Sequence, residues 1–226
     1  SVDGRLISKY WSPLYNASSS VTEVYEAADA KLSADGWIVG RKTMAEYGAD
    51  VVEEKGPMEG HKTMQTNTFI GKREGRPLAV VFDIQGRLHY KSPTLPSGEH
   101  IVAVLGSHVT RAYQKELEET GVSYIMRTPG SKLEETQSAL KHLEQDFNVK
   151  HMLLEGGAIT CGNFLQMGLV DELSMIVYPG LDGESGHPSV IECQGVVEPL
   201  KKNRLELIDC ETVGSGYVWL RYNIHR

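Results

Sequence analysis

The sequence predicts an α/β fold with a mixed, mostly parallel central sheet, flanked by helices and followed by a C-terminal antiparallel hairpin. Two patterns lead to this prediction. Short apolar runs alternate with helical patterns through the middle of the chain, which is typical of parallel strands joined by right-handed crossovers. Residues 204–226 then contain two strand-like runs joined by Gly-Ser-Gly, which is typical of an antiparallel hairpin.

The separate elements follow from periodicity and from the residues at their ends. Strands are predicted at 36–40, 78–83, 100–105, 122–126, 150–154 and 173–178, and helices at about 19–33, 42–48, 108–120, 131–147 and 158–167. Residues 50–76 carry Gly, Pro, Lys and Glu without a clean period, so we predict a loop insertion there. Because neither a repeat nor a strong linker divides the chain, we predict one domain over residues 1–226.

Composition excludes several classes of function. The net charge of −7 argues against nucleic acid as the main partner, because phosphate binding favours a basic face. No apolar run reaches the roughly 18 residues that a membrane span needs. The three cysteines, Cys161, Cys193 and Cys210, are odd in number and lack metal-site spacing. We therefore expect reduced thiols, no metal site and a cytoplasmic protein.

The strand predicted at 150–154 ends in a carboxylate and two glycines, Glu155, Gly156 and Gly157. A helix that starts directly after a parallel strand points its N-terminal N–H groups at the carboxyl edge of the sheet, where open α/β sheets bind ligands. Glycines at this point allow a pyrophosphate to approach the backbone. The other interpretation, that the glycines only form a tight turn, is equally compatible with these residues.

Two further strand ends share this pattern. The first strand is followed by Gly40, Arg41, Lys42 and Thr43. The glycine allows a ligand to approach the backbone closely, the two bases supply positive charge and the threonine supplies a hydroxyl. The same residues also suit a capped surface helix. Ser107 follows the strand at 100–105, near the start of a predicted helix. Three such ends at one sheet edge suit a dinucleotide. Their spacing differs from G-x-G-x-x-G, which disfavours a Rossmann fold.

Four stretches resemble a known family. "GRKT" at the start of a helix, with a late strand–Gly-Gly–helix unit, is similar to the dihydrofolate reductase fold. Three further stretches resemble the reductase half of bacterial riboflavin-biosynthesis deaminase–reductases. They are "SVDGRLI" (1–7), "RPLAVVFDIQGRL" (76–88) and "HMLLEGGAITCGNFLQMGLVDELSMIVYPGLDGESGHP" (151–188). The resemblance covers nearly the whole chain. The zinc-binding pattern of a deaminase half is not seen, so we expect a reductase alone.

The resemblance implies an NADPH-dependent reductase of a ribosylamino-pyrimidinone 5′-phosphate that works as a homodimer. By position, Thr43 and the segment Gly157–Ala158–Ile159 would contact NADPH, and Ser107 would lie near the adenosine phosphate. Glu155 would face the substrate, and Asp3 would lie close to the nicotinamide end. We expect the dimer to cover the strand at 173–178 and the hairpin residues Tyr217, Trp219 and Tyr222.

One family segment is missing. Bacterial members continue after the GxxT-type helix with D-D-P-x-L-T-x-R, whose arginine helps to hold the substrate. This chain has "YGADVVEEKGP", with Tyr47 at an aspartate position and Glu53 and Glu54 where a base is expected. The substrate therefore stays open between the riboflavin-pathway compound and another small heterocycle, such as a pterin or a dihydrofolate-like ring. A dinucleotide-binding protein without catalysis is the third alternative.

The expected chemistry is hydride transfer to an electrophilic carbon, with the cofactor supplying the hydride. A carboxylate near the developing amine, Glu155 or Asp3, would stabilise charge or relay a proton. Alternatively, Glu155 hydrogen-bonds the glycine loop and Asp3 belongs to an Asp-Gly turn. His108, His151 and His187 have no carboxylate partner visible in the sequence, so we expect surface or capping roles for them.

Overall fold

The computed structural model describes residues 1–15, 20–48, 51–53, 68–193, 195 and 198–226. A short 3-10 helix at Ser8–Tyr10 comes first. The other elements in chain order are α1 (Val21–Leu32), β1 (Gly36–Gly40), α2 (Arg41–Tyr47), β2 (Val51–Glu53), β3 (Leu78–Phe82), β4 (Leu88–Tyr90), β5 (His100–Leu105), α3 (Arg111–Thr120), β6 (Ser123–Met126), α4 (Lys132–Phe147), β7 (Leu153–Gly156), α5 (Ala158–Gln166), β8 (Glu172–Val177), α6 (Glu198–Lys201), β9 (Arg204–Val213) and β10 (Tyr217–His225). Residues 50 and 54–67 of the predicted loop insertion lie outside the described residues.

The chain forms two compact units, one of residues 34–156 and one of residues 1–33 with 157–226. The first contains five parallel strands in the order β6-β5-β3-β1-β7. Every residue of β5 is buried, and so are the first four residues of β3. Continuous apolar runs of this kind are expected of parallel strands that are covered on both faces. The predicted fold class is thereby confirmed for the central sheet.

Two elements begin three residues later than predicted, each because a side chain forms specific hydrogen bonds with the backbone there. β7 begins at Leu153 rather than at residue 150, because the Asp35 carboxylate accepts hydrogen bonds from the N–H groups of Lys150 (2.7 Å) and His151 (3.0 Å). Helix α3 begins at residue 111 rather than at 108, because the Thr110 hydroxyl caps it by accepting the N–H of Tyr113.

The second unit contains a three-stranded antiparallel sheet in the order β8-β10-β9. The predicted hairpin is confirmed, with Tyr217 opposite Val213 next to the turn. β8 was expected in the same mixed sheet as the parallel strands. Instead it pairs antiparallel with β10, so β8, β9 and β10 form a sheet of their own, and β2 and β4 form a separate antiparallel pair. None of the described helices is both long and apolar enough to cross a membrane.

The aromatic residues of the hairpin are not a free surface. Tyr217 is fully buried and Trp219 is 2% exposed, and the Trp219 indole N–H donates to the Ser174 hydroxyl at 2.8 Å. Tyr217 packs with Val24 of α1 and with Tyr178 in one apolar cluster. The expectation that Tyr217 and Trp219 lie in a dimer interface is therefore wrong. Apolar side chains are exposed instead on β9, at Leu205, Leu207 and Ile208.

Candidate functional site

Four of the predicted site residues lie at the end of β1, at the carboxyl edge of the parallel sheet. Gly40 precedes α2 in an extended conformation, and Lys42 is exposed on the first turn of that helix. Arg41 forms an ion pair with Glu53, and the two side chains are only 22% and 26% exposed. The acid at a position where the family has a base thus neutralises much of the charge of Arg41. Thr43 lies half-buried in the same turn of the helix.

Asp83, directly after β3, is a buried carboxylate to which the sequence pattern assigned no role. Its Oδ2 accepts the backbone N–H groups of Arg87 (2.6 Å) and Leu88 (2.8 Å), which fixes the turn that leaves the sheet edge. Its Oδ1 is buried and has no hydrogen-bond partner among the described residues. Burial raises the pKa of Asp83, and the Arg41 charge acts in the opposite direction. The available signal was an aspartate followed three residues later by glycine.

Ser107 lies in an exposed turn after β5, ahead of α3 rather than at its start. The preceding Gly106 donates its N–H to the carbonyl oxygen of Ile84, which ties this turn to the one after β3. A Cβ atom at Gly106 would lie 2.7 Å from that oxygen, so a side chain is excluded. Arg111 donates two hydrogen bonds to Glu118 on its own helix, at 2.6 and 3.0 Å.

Glu155 is the extra residue of a β-bulge in β7. Ile38 of β1 lies opposite Leu154, whereas the next residue, Val39, lies opposite Gly156. Glu155 therefore has no opposite residue in the ladder, and it is half-buried. Bulges of this kind re-aim side chains and are frequent beside active sites. The periodicity of a short apolar run does not reveal such a bulge, because the irregularity is a property of the strand pair.

Gly156 and Gly157 have different backbone conformations. Gly156 has a φ of 118°, which residues with a side chain rarely adopt, and no atom of the described residues lies within 4 Å of the place where its Cβ would be. Gly157 is extended, with φ −63° and ψ −175°, and it is the N-cap of α5. After it, Ala158 is buried whereas Ile159 is 37% exposed. The backbone thus requires glycine at 156 but not at 157.

Asp3 belongs to the other unit, where it holds a loop. Its carboxylate accepts the N–H groups of Gly183 (2.7 Å) and Asp182 (3.2 Å). Hydrogen bonds from Ser1 and from Gly183 lower the pKa of Asp3 to about 2. At neutral pH Asp3 is therefore a carboxylate that offers negative charge rather than a proton, and these contacts agree with the Asp-Gly turn interpretation.

A cleft of about 230 Å³ in the unit of residues 34–156 lies apart from these strand ends. None of the predicted site residues lines it; its walls are formed by Val51, Tyr90, Lys91, Ser92, Thr94, Leu95, Pro96 and Ile101. In this unit the structure places Gly40–Thr43, Ser107, and Glu155 with Gly156 at the carboxyl ends of β1, β5 and β7, with β3 between β1 and β5. A dinucleotide would fit there as an extended ligand along the edge, not as a ligand enclosed in a cavity.

Solved structures of similar fold were found, all at low sequence identity. A pyrimidine reductase-like protein from Corynebacterium diphtheriae is 18% identical, with a TM-score of 0.65 over 100% of this chain and 89% of that one. RibD from Acinetobacter baumannii is 20% identical, with a TM-score of 0.63 over 100% of this chain and 55% of that one. A deaminase/5-amino-6-(5-phosphoribosylamino)uracil reductase from Thermotoga maritima is 13% identical, with a TM-score of 0.55 over 91% and 50%.

This chain thus spans about half the length of the Acinetobacter and Thermotoga proteins. At these identities the similarity establishes the fold, which agrees with the predicted reductase-like architecture. No curated protein matches the sequence. The family model described as the RibD C-terminal domain matches residues 1–219, which is nearly the entire chain. The protein therefore belongs to the RibD C-terminal domain family.

Proposed function

We propose that this protein is an NADPH-dependent reductase that acts by hydride transfer on a phosphorylated ribosylamino-pyrimidine of riboflavin biosynthesis. The compounds considered are 2,5-diamino-6-ribosylamino-4(3H)-pyrimidinone 5′-phosphate and 5-amino-6-(5-phosphoribosylamino)uracil. The observation that carries the proposal is membership of the RibD C-terminal domain family over residues 1–219. The Thermotoga protein of similar fold is itself called a reductase of the second compound.

The strand ends support a dinucleotide as the ligand. Gly156 has open space beside it, and Gly106 is kept free of a side chain by the contact of its loop with Ile84. The open space at Gly156 lets a ligand approach the backbone at the sheet edge, whereas the space at Gly106 is filled by Ile84. In this proposal the residues that bind NADPH are Gly40, Arg41, Lys42, Thr43, Ser107, Gly156, Gly157, Ala158 and Ile159.

These residues have different parts in cofactor binding. The backbone at Gly156 and Gly157 lies against the pyrophosphate, because no side chain there blocks its approach. Exposed Lys42 and Ser107 supply the positive charge and the hydroxyl for a ribose phosphate. The contribution of Arg41 is indirect, because its guanidinium already pairs with Glu53. We therefore assign the preference for NADPH over NADH to Lys42 and Ser107 first.

When bound, the nicotinamide would supply a hydride for the electrophilic carbon of the substrate's C=O or C=N group, whose heteroatom would take up a proton. Glu155 faces the substrate from the bulge in β7 and stabilises the positive charge that develops as the proton arrives. Asp3 is held as a carboxylate by the loop at 182–183, so its contribution is negative charge. The role of each residue is open to direct measurement with its amide variant.

For the substrate, a specific observation favours an alternative to the riboflavin-pathway compound. The family arginine that helps to hold the substrate is absent, and Glu53, in the segment where a base is expected, pairs with Arg41. An acid where a base is expected disfavours a phosphorylated substrate, because it offers no cation to the phosphate. This pairing favours the second candidate, a reductase of another small heterocycle such as a pterin or a dihydrofolate-like ring. A third, a dinucleotide-binding protein without catalysis, would bind the cofactor but not oxidise it.

We propose that the reductase works as a homodimer. The exposed apolar side chains of β9 are the surface in the described residues that a second copy would cover, since Tyr217 and Trp219 are buried within their own unit. Contiguous exposed apolar side chains usually mark an interface. The substrate and cofactor sites proposed here use neither β9 nor its neighbour β10.

The deciding experiment is complementation of a riboflavin-requiring strain that lacks the pathway reductase. Rescue by the parent gene, together with loss of rescue by Glu155→Gln, is the result we expect. Asp171→Asn, which changes a nearly fully exposed carboxylate, serves as the matched control and should still rescue. Failure of the parent gene, combined with NADPH oxidation in the presence of a dihydropterin, would instead establish the second candidate. Cofactor binding without oxidation of NADPH by any substrate of the panel would establish the third.

A further inference from the structure

A histidine and two carboxylates meet in the loop that follows β8. His187 Nδ1 lies 2.8 and 2.9 Å from the two carboxylate oxygens of Asp182, and His187 Nε2 lies 3.5 Å from Oε2 of Glu184. One ligand atom from each of the three residues falls within 4.8 Å of the others. Among the described residues this is the one group of three or more potential metal ligands. The expectation that His187 has no carboxylate partner is wrong.

Contacts from outside the group hold its parts in place. The Arg5 guanidinium donates to the carbonyl oxygen of His187 at 2.6 Å, and the Tyr10 ring stacks on the imidazole with 4.2 Å between centroids. The Asp182 side chain is fully buried, and the imidazole is 16% exposed. Glu184 is 66% exposed and therefore forms the open side of the group. The imidazole and Asp182 are thus fixed before any ligand arrives, whereas Glu184 is free to adjust.

The two nitrogens of the His187 ring face different partners, and this decides which of them can bind a metal ion. An Nδ1–H that donates to buried Asp182 leaves the lone pair on Nε2, and a carboxylate–histidine pair of this kind typically orients a metal-binding imidazole. The 3.5 Å between Nε2 and the Glu184 oxygen is close to the separation of two ligands that each lie about 2.0–2.2 Å from one zinc ion. Imidazole with carboxylate suits Zn²⁺ and its transition-metal neighbours better than Mg²⁺.

We propose that His187 and Glu184 bind a divalent transition-metal ion of the Zn²⁺ type, with Asp182 orienting the imidazole and solvent completing the coordination. The ion would fix the loop at 182–187, whose His187 already contacts Arg5 and Tyr10 of the N-terminal segment. This site uses neither the cofactor nor Glu155, although its loop also holds Asp3, and its role is structural. The competing account is that a protonated imidazole bridges the two carboxylates without an ion.

Zinc titration of the EDTA-treated full chain by calorimetry at pH 7.5 tests the proposal. We expect one Zn²⁺ per chain in the parent, loss of this heat in His187→Gln and affinity weaker by about tenfold or more in Glu184→Gln. His225→Gln is the matched control. Its Nε2 also lies beside a carboxylate, that of Glu206 at 2.8 Å, but the two belong to no group of three among the described residues. This variant should bind Zn²⁺ as the parent does.

A second measurement separates a bound ion from altered folding. Zn²⁺ should raise the melting temperature of the parent and of His225→Gln but not that of His187→Gln, while Mg²⁺ should change none of them. The melting temperatures in EDTA show whether the variants fold. Equal Zn²⁺ heats for the parent and His187→Gln would overturn the proposal, as would equal losses in His187→Gln and His225→Gln. Neither readout uses NADPH, so failure here leaves the proposed reductase function untouched.

Discussion

The contrast between Gly156 and Gly157 gives the sharpest test of where the cofactor binds. At Gly156 the φ of 118° lies where residues with a side chain are strained, by about 1–3 kcal/mol. Because no described atom lies within 4 Å of its missing Cβ, the cost of Gly156→Ala comes from the backbone alone. For a chain of this size we expect a melting temperature lower by about 2–10 °C.

Gly157→Val should behave in the opposite way. The φ of −63° and ψ of −175° are open to any residue, so the backbone is not strained. The change at this N-cap costs at most about 1 kcal/mol of stability. A branched side chain would, however, stand where the pyrophosphate approaches. Losing one charge-assisted hydrogen bond, worth about 1.5–3 kcal/mol, weakens NADPH binding about tenfold or more.

Both variants are compared with the parent by thermal melting without cofactor and by fluorescence titration with NADPH. The expected pattern is a lower melting temperature for Gly156→Ala, and a nearly parental melting temperature with weaker NADPH binding for Gly157→Val. If Gly157→Val binds NADPH as tightly as the parent, the glycines serve only as a turn and the cofactor lies elsewhere. If Gly156→Ala melts like the parent, the conformation assigned to residue 156 is wrong.

Three other predictions concern stability, cofactor choice and assembly. Burial lowers the pKa of His100 from 6.5 to about 4, so the folded protein keeps it neutral while the unfolded chain takes up a proton below pH 6.5. Stability should therefore fall as the pH drops from 6.5 towards 4, by about 2 kcal/mol at pH 5 in urea denaturation, and His100→Gln should lack this contribution. NADPH should bind about tenfold more tightly than NADH, with the difference reduced in Lys42→Gln but kept in the control Lys141→Gln; equal affinities of the parent for both cofactors would contradict the assignment. Light scattering should give twice the 25.0 kDa of one chain for the parent and a lower mass for Leu207→Lys; a single-chain mass for the parent at micromolar concentration would refute the dimer.

The sequence predicts the parallel sheet well because burial determines the residue types of each strand. β3 and β5 are covered on both faces, so their apolar runs are continuous, and their predicted positions match the structure within a residue. The start of β7 could not be predicted in the same way. Asp35 lies 115 residues before Lys150, and only the folded chain brings its carboxylate to the N–H groups at 150 and 151. Boundaries set by such distant contacts leave no local pattern.

In the candidate site, too, the sequence shows which residue types are present, whereas the structure shows which residues pair with each other. Residue type places Arg41 at a strand end that suits phosphate, and the segment around Glu53 departs from the family pattern. The structure links these two observations, because Glu53 is the partner that neutralises Arg41. A cation held in a half-buried ion pair is a poor phosphate ligand, since breaking the pair leaves a charge without its partner. The departure at Glu53 therefore bears on the charge of the proposed cofactor segment as well as on the substrate, and it gives Lys42 a larger share in holding the cofactor.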